Sequence, residues 1–251
     1  MKSAGQQLSV NADDFGHSGT VNKAIVECMT SGFATNTTAM ANMPGFPEAC
    51  ELAQEHKFAH RVGVHLNLSE GVPLTDGIRR NPRFCDAEGH FSYTRQGVVF
   101  SREDRECVAK EVKAQIVRCR QHGLAAMHAD SHRHVHTNLA FFRLLEPAIR
   151  SLNVRRVRTS ANLHRVDPLR GAYKLGFTKY LVWKGFTVTD HFGDIAAFLA
   201  LPPAQAQAPG SYEIMIHPGY SGTGELIDAI KGYHARPMLE RLKNEFTVVP
   251  F

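Results

Sequence analysis

Short apolar stretches recur along the chain, each followed by a polar or glycine-containing turn and then by apolar residues at helical spacing. Residues 7–10 read as a buried strand with β-branched Val10 near its end, and Asn11, Asp13, Asp14 and Gly16 are poor strand formers that mark where pairing stops. Ser18 or Thr20 caps a helix reaching about Ser31, with Gly32 as its stop. A second strand over residues 35–41 leads through Pro44 and Pro47 to a helix over 48–54. A third strand, 60–66, ends in His65-Leu66-Asn67-Leu68.

Residues 69–100 carry Gly71, Pro73, Gly77, Pro82 and Gly89 without sustained periodicity, which predicts an extended loop able to roof a site. Ser101-x-x-Asp104 is a capping pattern, and Val108, Val112, Gln115, Ile116 and Cys119 then recur at helical spacing until Gly123. A strand over 124–129 runs into Asp130-Ser131-His132-Arg133-His134-Val135-His136, with a helix over 139–151 and a strand over 154–159 behind it. The stretch 162–189 predicts a helix around 171–182 without clear ends. Asp190 to Asp194 then joins a strand to a helix over 195–201, which Pro202 and Pro203 end. A strand over 211–216 ends in His217-Pro218-Gly219-Tyr220, and helices over 227–233 and 237–244 precede a last short strand, 246–249. Repetition of strand, turn and helix predicts a parallel α/β sheet. About seven such units in 251 residues favour one domain, residues 1–251, built as a TIM-like (β/α) barrel.

Composition narrows the class. The chain is 43% hydrophobic and 21% charged, as in soluble globular proteins, and no apolar run approaches the ~18 residues of a membrane span. The first residues lack a secretory signal pattern, so a cytoplasmic location is expected. The five cysteines are scattered without a C-x-x-C and read as reduced thiols. A net charge of +5 is modest, and the basic run Arg155, Arg156, Arg158 is short and lacks aromatics, so no nucleic-acid partner is expected. The unusual number is 14 histidines, several in tight local patterns that suggest metal or proton chemistry.

In α/β proteins the carboxyl ends of parallel strands carry the chemistry. Adjacent carboxylates on an extended chain point to opposite sides, so one of Asp13 and Asp14 can hold a metal while the other handles a proton; an acidic turn that merely caps the next helix is the plainer alternative. Of His132, His134 and His136, at most two reach one ion. Asp14, His65 and one of these three make a two-histidine, one-carboxylate set with open positions, as in catalytic sites, and Asp130 would orient a ligating imidazole. His217, in a tight Pro-Gly turn at a strand end, is the candidate general acid, and Thr37, Thr38 and Arg158 are candidates to line a substrate pocket.

Asn-Ala-Asp-Asp-Phe-Gly at 11–16, His-Leu-Asn-Leu at 65–68, Asp-Ser-His-Arg-His-Val-His at 130–136 and Ile-His-Pro-Gly-Tyr at 216–220 together resemble the signature segments of the YdjC-like carbohydrate deacetylases, which include the chitooligosaccharide deacetylases. The resemblance covers nearly the whole chain. It implies a distorted β/α barrel, one divalent metal ion, and removal of an acetyl group from an N-acetylated sugar. Carried over by motif, it makes Asp14, His65 and His132 the ligands and Asp13 the acid/base. The family allows magnesium and imidazole ligands suit zinc. Arg133, Asn138 and the 69–100 loop depart from the family pattern, which bears on which sugar is bound more than on the reaction. A homodimer is compatible with this reading. The competing expectations are another metal-dependent barrel hydrolase, such as a phosphoesterase or cyclic amidase, and a sugar-binding protein without turnover. Asp14-Phe15-Gly16 is no kinase motif, since only 13 residues precede it.

Overall fold

Seven parallel strands make the main sheet: β1 (Gln6–Phe15), β2 (Asn36–Ala39), β3 (Val62–Leu66), β4 (His128–Ser131), β5 (Arg156–Val157), β6 (His191–Asp194) and β7 (Gly210–Ile216). Their order is β5-β4-β3-β2-β1-β7-β6. The computed structural model describes residues 6–93, 99–163 and 166–251, so residues 94–98 of the expected loop and 164–165 of the unassigned stretch lie outside the described part. Helices α1 (Gly19–Thr30), α2 (Phe46–Glu55), α3 (Asp76–Arg79), α4 (Arg102–Gln121), α5 (Leu139–Ser151), α6 (Pro168–Trp183), α7 (Ile195–Leu199), α8 (Pro203–Ala206) and α9 (Ala235–Glu245) alternate with the strands, and a two-stranded antiparallel pair, β8 (Pro218–Tyr220) and β9 (Leu226–Asp228), follows β7. Among the described residues, no helix is long and apolar enough to cross a membrane.

The local reasons are visible. Ser18 accepts a hydrogen bond from the Val21 N–H and starts α1. At α4 both halves of the expected capping box form, Asp104 N–H to Ser101 Oγ at 3.0 Å and Ser101 N–H to Asp104 Oδ2 at 2.9 Å. β1, central in the sheet, is buried continuously from Leu8 to Phe15, as a strand covered on both faces must be.

The sheet curls. Laid flat, β5 would stand four strands from β1 and five from β7, roughly 19 and 24 Å at ~4.8 Å per strand. Arg158, just past β5, nonetheless bonds Asp13 of β1 at 2.6 Å and Glu213 of β7 at 2.5 Å, so the two edges are brought round to face each other. β5 and β6 do not pair. Two bonds bridge the seam instead: Val157 N–H of β5 donates to Thr187 O, ahead of β6, at 3.1 Å, and Asn162 N–H, past β5, to Phe192 O of β6 at 2.9 Å. The result is a single distorted β/α barrel, incompletely closed.

Several boundaries differ from the sequence expectation. β1 does not stop at Val10; it pairs with β7 as far as Ala12 and with β2 as far as Phe15, across a register shift where Asp14 adopts φ 72°. The strand expected over 124–129 starts only at His128, because Ala126 turns at φ 48°. The acidic run at 190–194, expected as a turn, contains β6 itself, paired with β7 from His191 opposite Tyr212 to Asp194 opposite Met215. The helix expected over 227–233 is replaced by β9 and a turn in which Gly232 takes φ 74°, and the strand over 246–249 shrinks to one bridge from Val248 to Leu8. Gly16, at φ 90°, lets the chain leave β1 close to the start of α2: a Cβ on Gly45 would sit 2.9 Å from Gly16 O.

Candidate active site

The carboxyl ends of β1, β3 and β4 bring Asp14, His65 and His132 together. Asp14 Oδ1 lies 3.0 Å from His65 Nε2 and 2.9 Å from His132 Nδ1, and the two rings meet edge to face at 5.6 Å. Three different local devices aim them. Asp14 is swung out of the strand by its left-handed backbone, His65 is the fourth residue of β3, and His132 opens a 3-10 turn after β4 in which Arg133 and His134 also adopt positive φ. Non-glycine residues in this region are costly, and they cluster where surrounding structure enforces them.

The other two histidines of the 132–136 run go elsewhere. His136 is enclosed between Ser131 Oγ at 2.5 Å and the Arg158 carbonyl at 3.1 Å, and burial holds its pKa well below the usual imidazole range. The His134 ring packs against Phe192, and burial lowers its pKa to about 3.

Around the central triplet stands an array of buried charges. Asp130 Oδ1 accepts from His65 Nδ1 at 2.7 Å, so the other nitrogen of that ring, Nε2, is the one presented to Asp14. Thr38 donates to Asp130 Oδ2 at 3.0 Å. Asp13 is gripped by Arg158, whose Nη1 and Nη2 donate to its Oδ2 and Oδ1 at 2.6 and 2.7 Å, with Asn11 Nδ2 on Oδ1 at 2.7 Å. Arg158 Nη2 also lies 2.7 Å from Asp130 Oδ2. Burial opposes charge on Arg158, but Asp13, Asp130 and Glu213 together hold its pKa well above the usual value. The same burial pushes Glu213 up to about 7 against the pull of Arg158. Burial works against the Asp14 carboxylate as well, yet His132 and His65 hold its pKa well below the ordinary value.

His217 follows β7, with Nε2 3.9 Å from Asp13 Oδ2 and Nδ1 3.7 Å from Asp228 Oδ2. Burial would lower its pKa; Asp228 and then the charges of Asp13 and Asp14 raise it above the ordinary imidazole value.

Thr37, Thr38 and Arg158, expected to line a pocket, are enclosed instead. Thr37 donates to the Ala12 carbonyl at 2.6 Å, tying β2 to β1. Thr38 and Arg158 spend their polar atoms on Asp130, Asp13 and Glu213. Sequence reasoning missed Glu213, Asp228 and Glu70, whose Oε2 lies 3.1 Å from His132 Nε2. Glu213 left a signal, a carboxylate amid the apolar run of a buried strand; Glu70, in an aperiodic loop, left none.

The donor set fits one divalent ion. Tetrahedral bonds of ~2.0 to 2.1 Å would separate neighbouring ligand atoms by about 3.3 Å, close to the 2.9 and 3.0 Å found from Asp14 to the two histidines. One atom each of Asp14, His65 and His132 lies within 4.8 Å of the other two; the same holds for Asp13, His65 and Asp130. Fold and site together define a β/α-barrel protein with a candidate mononuclear metal centre.

The family model described as YdjC-like protein matches residues 7–247, and the chain belongs to that family. It is 35% identical over 224 residues to a carbohydrate deacetylase of Brevibacillus brevis, covering 85% of this chain and 82% of the relative. A carbohydrate deacetylase of Halalkalibacterium halodurans is 31% identical over 242 residues, 94% of this chain and 92% of its own. Among solved structures, a candidate cellobiose-phosphate cleavage protein from Enterococcus faecalis superposes with a TM-score of 0.75 at 23% identity, covering 98% of this chain and 97% of the other, which is a likeness of fold.

Proposed function

We propose that this protein is a metal-dependent carbohydrate N-deacetylase, with Asp14, His65 and His132 holding one divalent ion, magnesium or zinc. The observation that carries the reading is the convergence of two histidine nitrogens on one oxygen of Asp14 with the Asp13 carboxylate alongside. The curated relatives' shared name, carbohydrate deacetylase, supports the reaction class and the sugar.

An ion held by Asp14, His65 and His132 would supply Lewis acidity, activating water and polarising the acetyl carbonyl. Asp13 would take up the proton of the attacking water, and Arg158 and Asn11 fix the orientation of its carboxylate. His217, whose proton Asp228 and Asp13 help to retain, delivers a proton to the departing sugar amine. Thr38 and Asp130 keep His65 in the tautomer that leaves Nε2 unprotonated. The substrate in this reading is an N-acetylated sugar such as a chitooligosaccharide. Purified protein incubated with N-acetylated chitooligosaccharides, with and without zinc or magnesium, should release acetate only when metal is present. Acetate release unaffected by a chelator and by metal replenishment would contradict the metal role, and no release from any N-acetylated sugar would contradict the reaction.

A further inference from the structure

His132 meets Asp14 through Nδ1, at 2.9 Å. Its opposite nitrogen, Nε2, faces Glu70 Oε2 at 3.1 Å, and the second oxygen of Glu70 lies 3.1 Å from His17 Nε2. Nothing in the deacetylation scheme uses Glu70 or His17. We propose that Glu70 is a positioning residue that selects the Nδ1 face of His132 for the metal ion, with His17 holding the Glu70 carboxylate in place. The inference rests on the metal-centre reading above.

A neutral imidazole carries one N–H, so Nδ1 can offer its lone pair only if the proton sits on Nε2. A carboxylate facing Nε2 stabilises that tautomer, fixes the ring and makes it a stronger donor. His65 is the reverse case: Asp130 on Nδ1 leaves Nε2 to point at Asp14. The two histidines are thus offered through opposite ring nitrogens, each chosen by its own carboxylate.

The geometry at Glu70 is built rather than incidental. Asn67, fully buried just past β3, accepts from the Ser69 and Glu70 N–H groups at 3.1 Å each and donates to the Glu70 carbonyl at 2.7 Å. Asn42 donates to the same carbonyl at 3.0 Å. Asn67 is in turn held by Gln115 of α4, which accepts from its N–H at 3.0 Å and donates to its carbonyl at 2.7 Å. Both main-chain polar groups of Glu70 are therefore pinned to the barrel wall, although its side chain is 35% exposed. Among the described residues the ion-pair partners of that carboxylate are both histidines. Glu70 sits on the far side of the His132 ring from Asp14, so it does not belong to the ligand set itself.

The test is zinc binding to the purified full chain by calorimetry, together with long-range proton–nitrogen NMR of His132 in the zinc-loaded protein. Glu70→Ala should weaken zinc binding by about 10- to 100-fold, the usual effect of losing a partner behind a ligand. Glu70→Gln, whose amide oxygen still accepts, should fall between that variant and the wild type, and His17→Ala should lose less than Glu70→Ala. In the wild type zinc should sit on Nδ1 with a slowly exchanging proton on Nε2, and Glu70→Ala should make that proton exchange freely. Unchanged affinity in Glu70→Ala, or zinc on Nε2 of His132, would overturn the assignment while leaving the metal centre standing. A wild type that binds no ion would remove the metal centre and this inference together. Thermal melting checks that the variants fold, and should Glu70→Ala fail to do so, the near-isosteric Glu70→Gln carries the comparison, with wild-type affinity in it counting against the proposal.

Discussion

Arg158 grips both oxygens of Asp13, at 2.6 and 2.7 Å, from just past the end of a strand four places away in the sheet. The same guanidinium reaches Asp130 and Glu213. One buried cation thus ties the far edge of the barrel to the strand that carries both central aspartates.

Arg158→Met should therefore leave three buried carboxylates without their common partner. Breaking a buried ion pair by removing one member typically costs ~3–5 kcal/mol, and a loss of that order is expected in urea unfolding. Adding Glu213→Gln removes one of the stranded charges and should recover part of it. A double variant no more stable than Arg158→Met would show that Glu213 is not strained by the loss.

The neighbouring aspartates should separate by experiment. Asp14→Asn removes an anionic ligand and should weaken metal binding, with activity partly restored by excess metal. Asp13→Asn should keep its metal and lose roughly 10²- to 10⁴-fold in rate, the usual contribution of a general base, without rescue. Metal content by elemental analysis beside acetate-release rates decides it. The opposite pattern would exchange the two roles.

The raised pKa of His217 gives the alkaline side of the pH profile its sign. An acid must be protonated, so activity is retained below the pKa and lost as pH rises through it, at a pH above the ordinary imidazole value. Asp228→Asn withdraws the first of the influences that raise it, and the alkaline limb of kcat/KM should move to lower pH. A limb that stays in place would assign the proton to another group.

Thr38→Val distinguishes positioning from pocket lining. The hydroxyl bonds Asp130 Oδ2 at 3.0 Å and lies 3.2 Å from His65 Nδ1. Losing it should weaken zinc binding, by about 10-fold if it behaves as other groups behind a ligand do, while KM for the sugar changes little. A raised KM with unchanged metal affinity would return Thr38 to the pocket.

Much of this architecture was legible in the sequence because local signals and tertiary demands agree. The Ser101/Asp104 box and the apolar spacing behind it give α4, and the strand-turn-helix repeat gives the parallel barrel. Asp14, His65 and His132 stand out as chemistry-bearing residues at the ends of apolar runs. What stayed hidden is non-local. Nothing in the sequence near Arg158 says that it will meet residues 145 and 55 positions away, so the sequence offers it as a pocket-lining residue and not as the centre of a buried ion cluster. Residues 226–228 have helix-compatible composition, and only pairing with Pro218 to Tyr220 makes them a strand. The His191–Asp194 segment reads as a polar turn because its glycine and aspartate are poor strand formers, and pairing with β7 makes it a strand.

The left-handed backbone at Asp14 means that the main chain, and not a side-chain rotamer, sets the direction of this carboxylate. Anyone transplanting the centre into another barrel would have to copy the kinked end of β1 along with the side chains. Three matching residues grafted onto regular strand ends would reproduce the composition of the site and miss its convergence, and at position 14 an asparagine, at ease with positive φ, is a cleaner probe than an alanine, which would add backbone strain to the lost carboxylate.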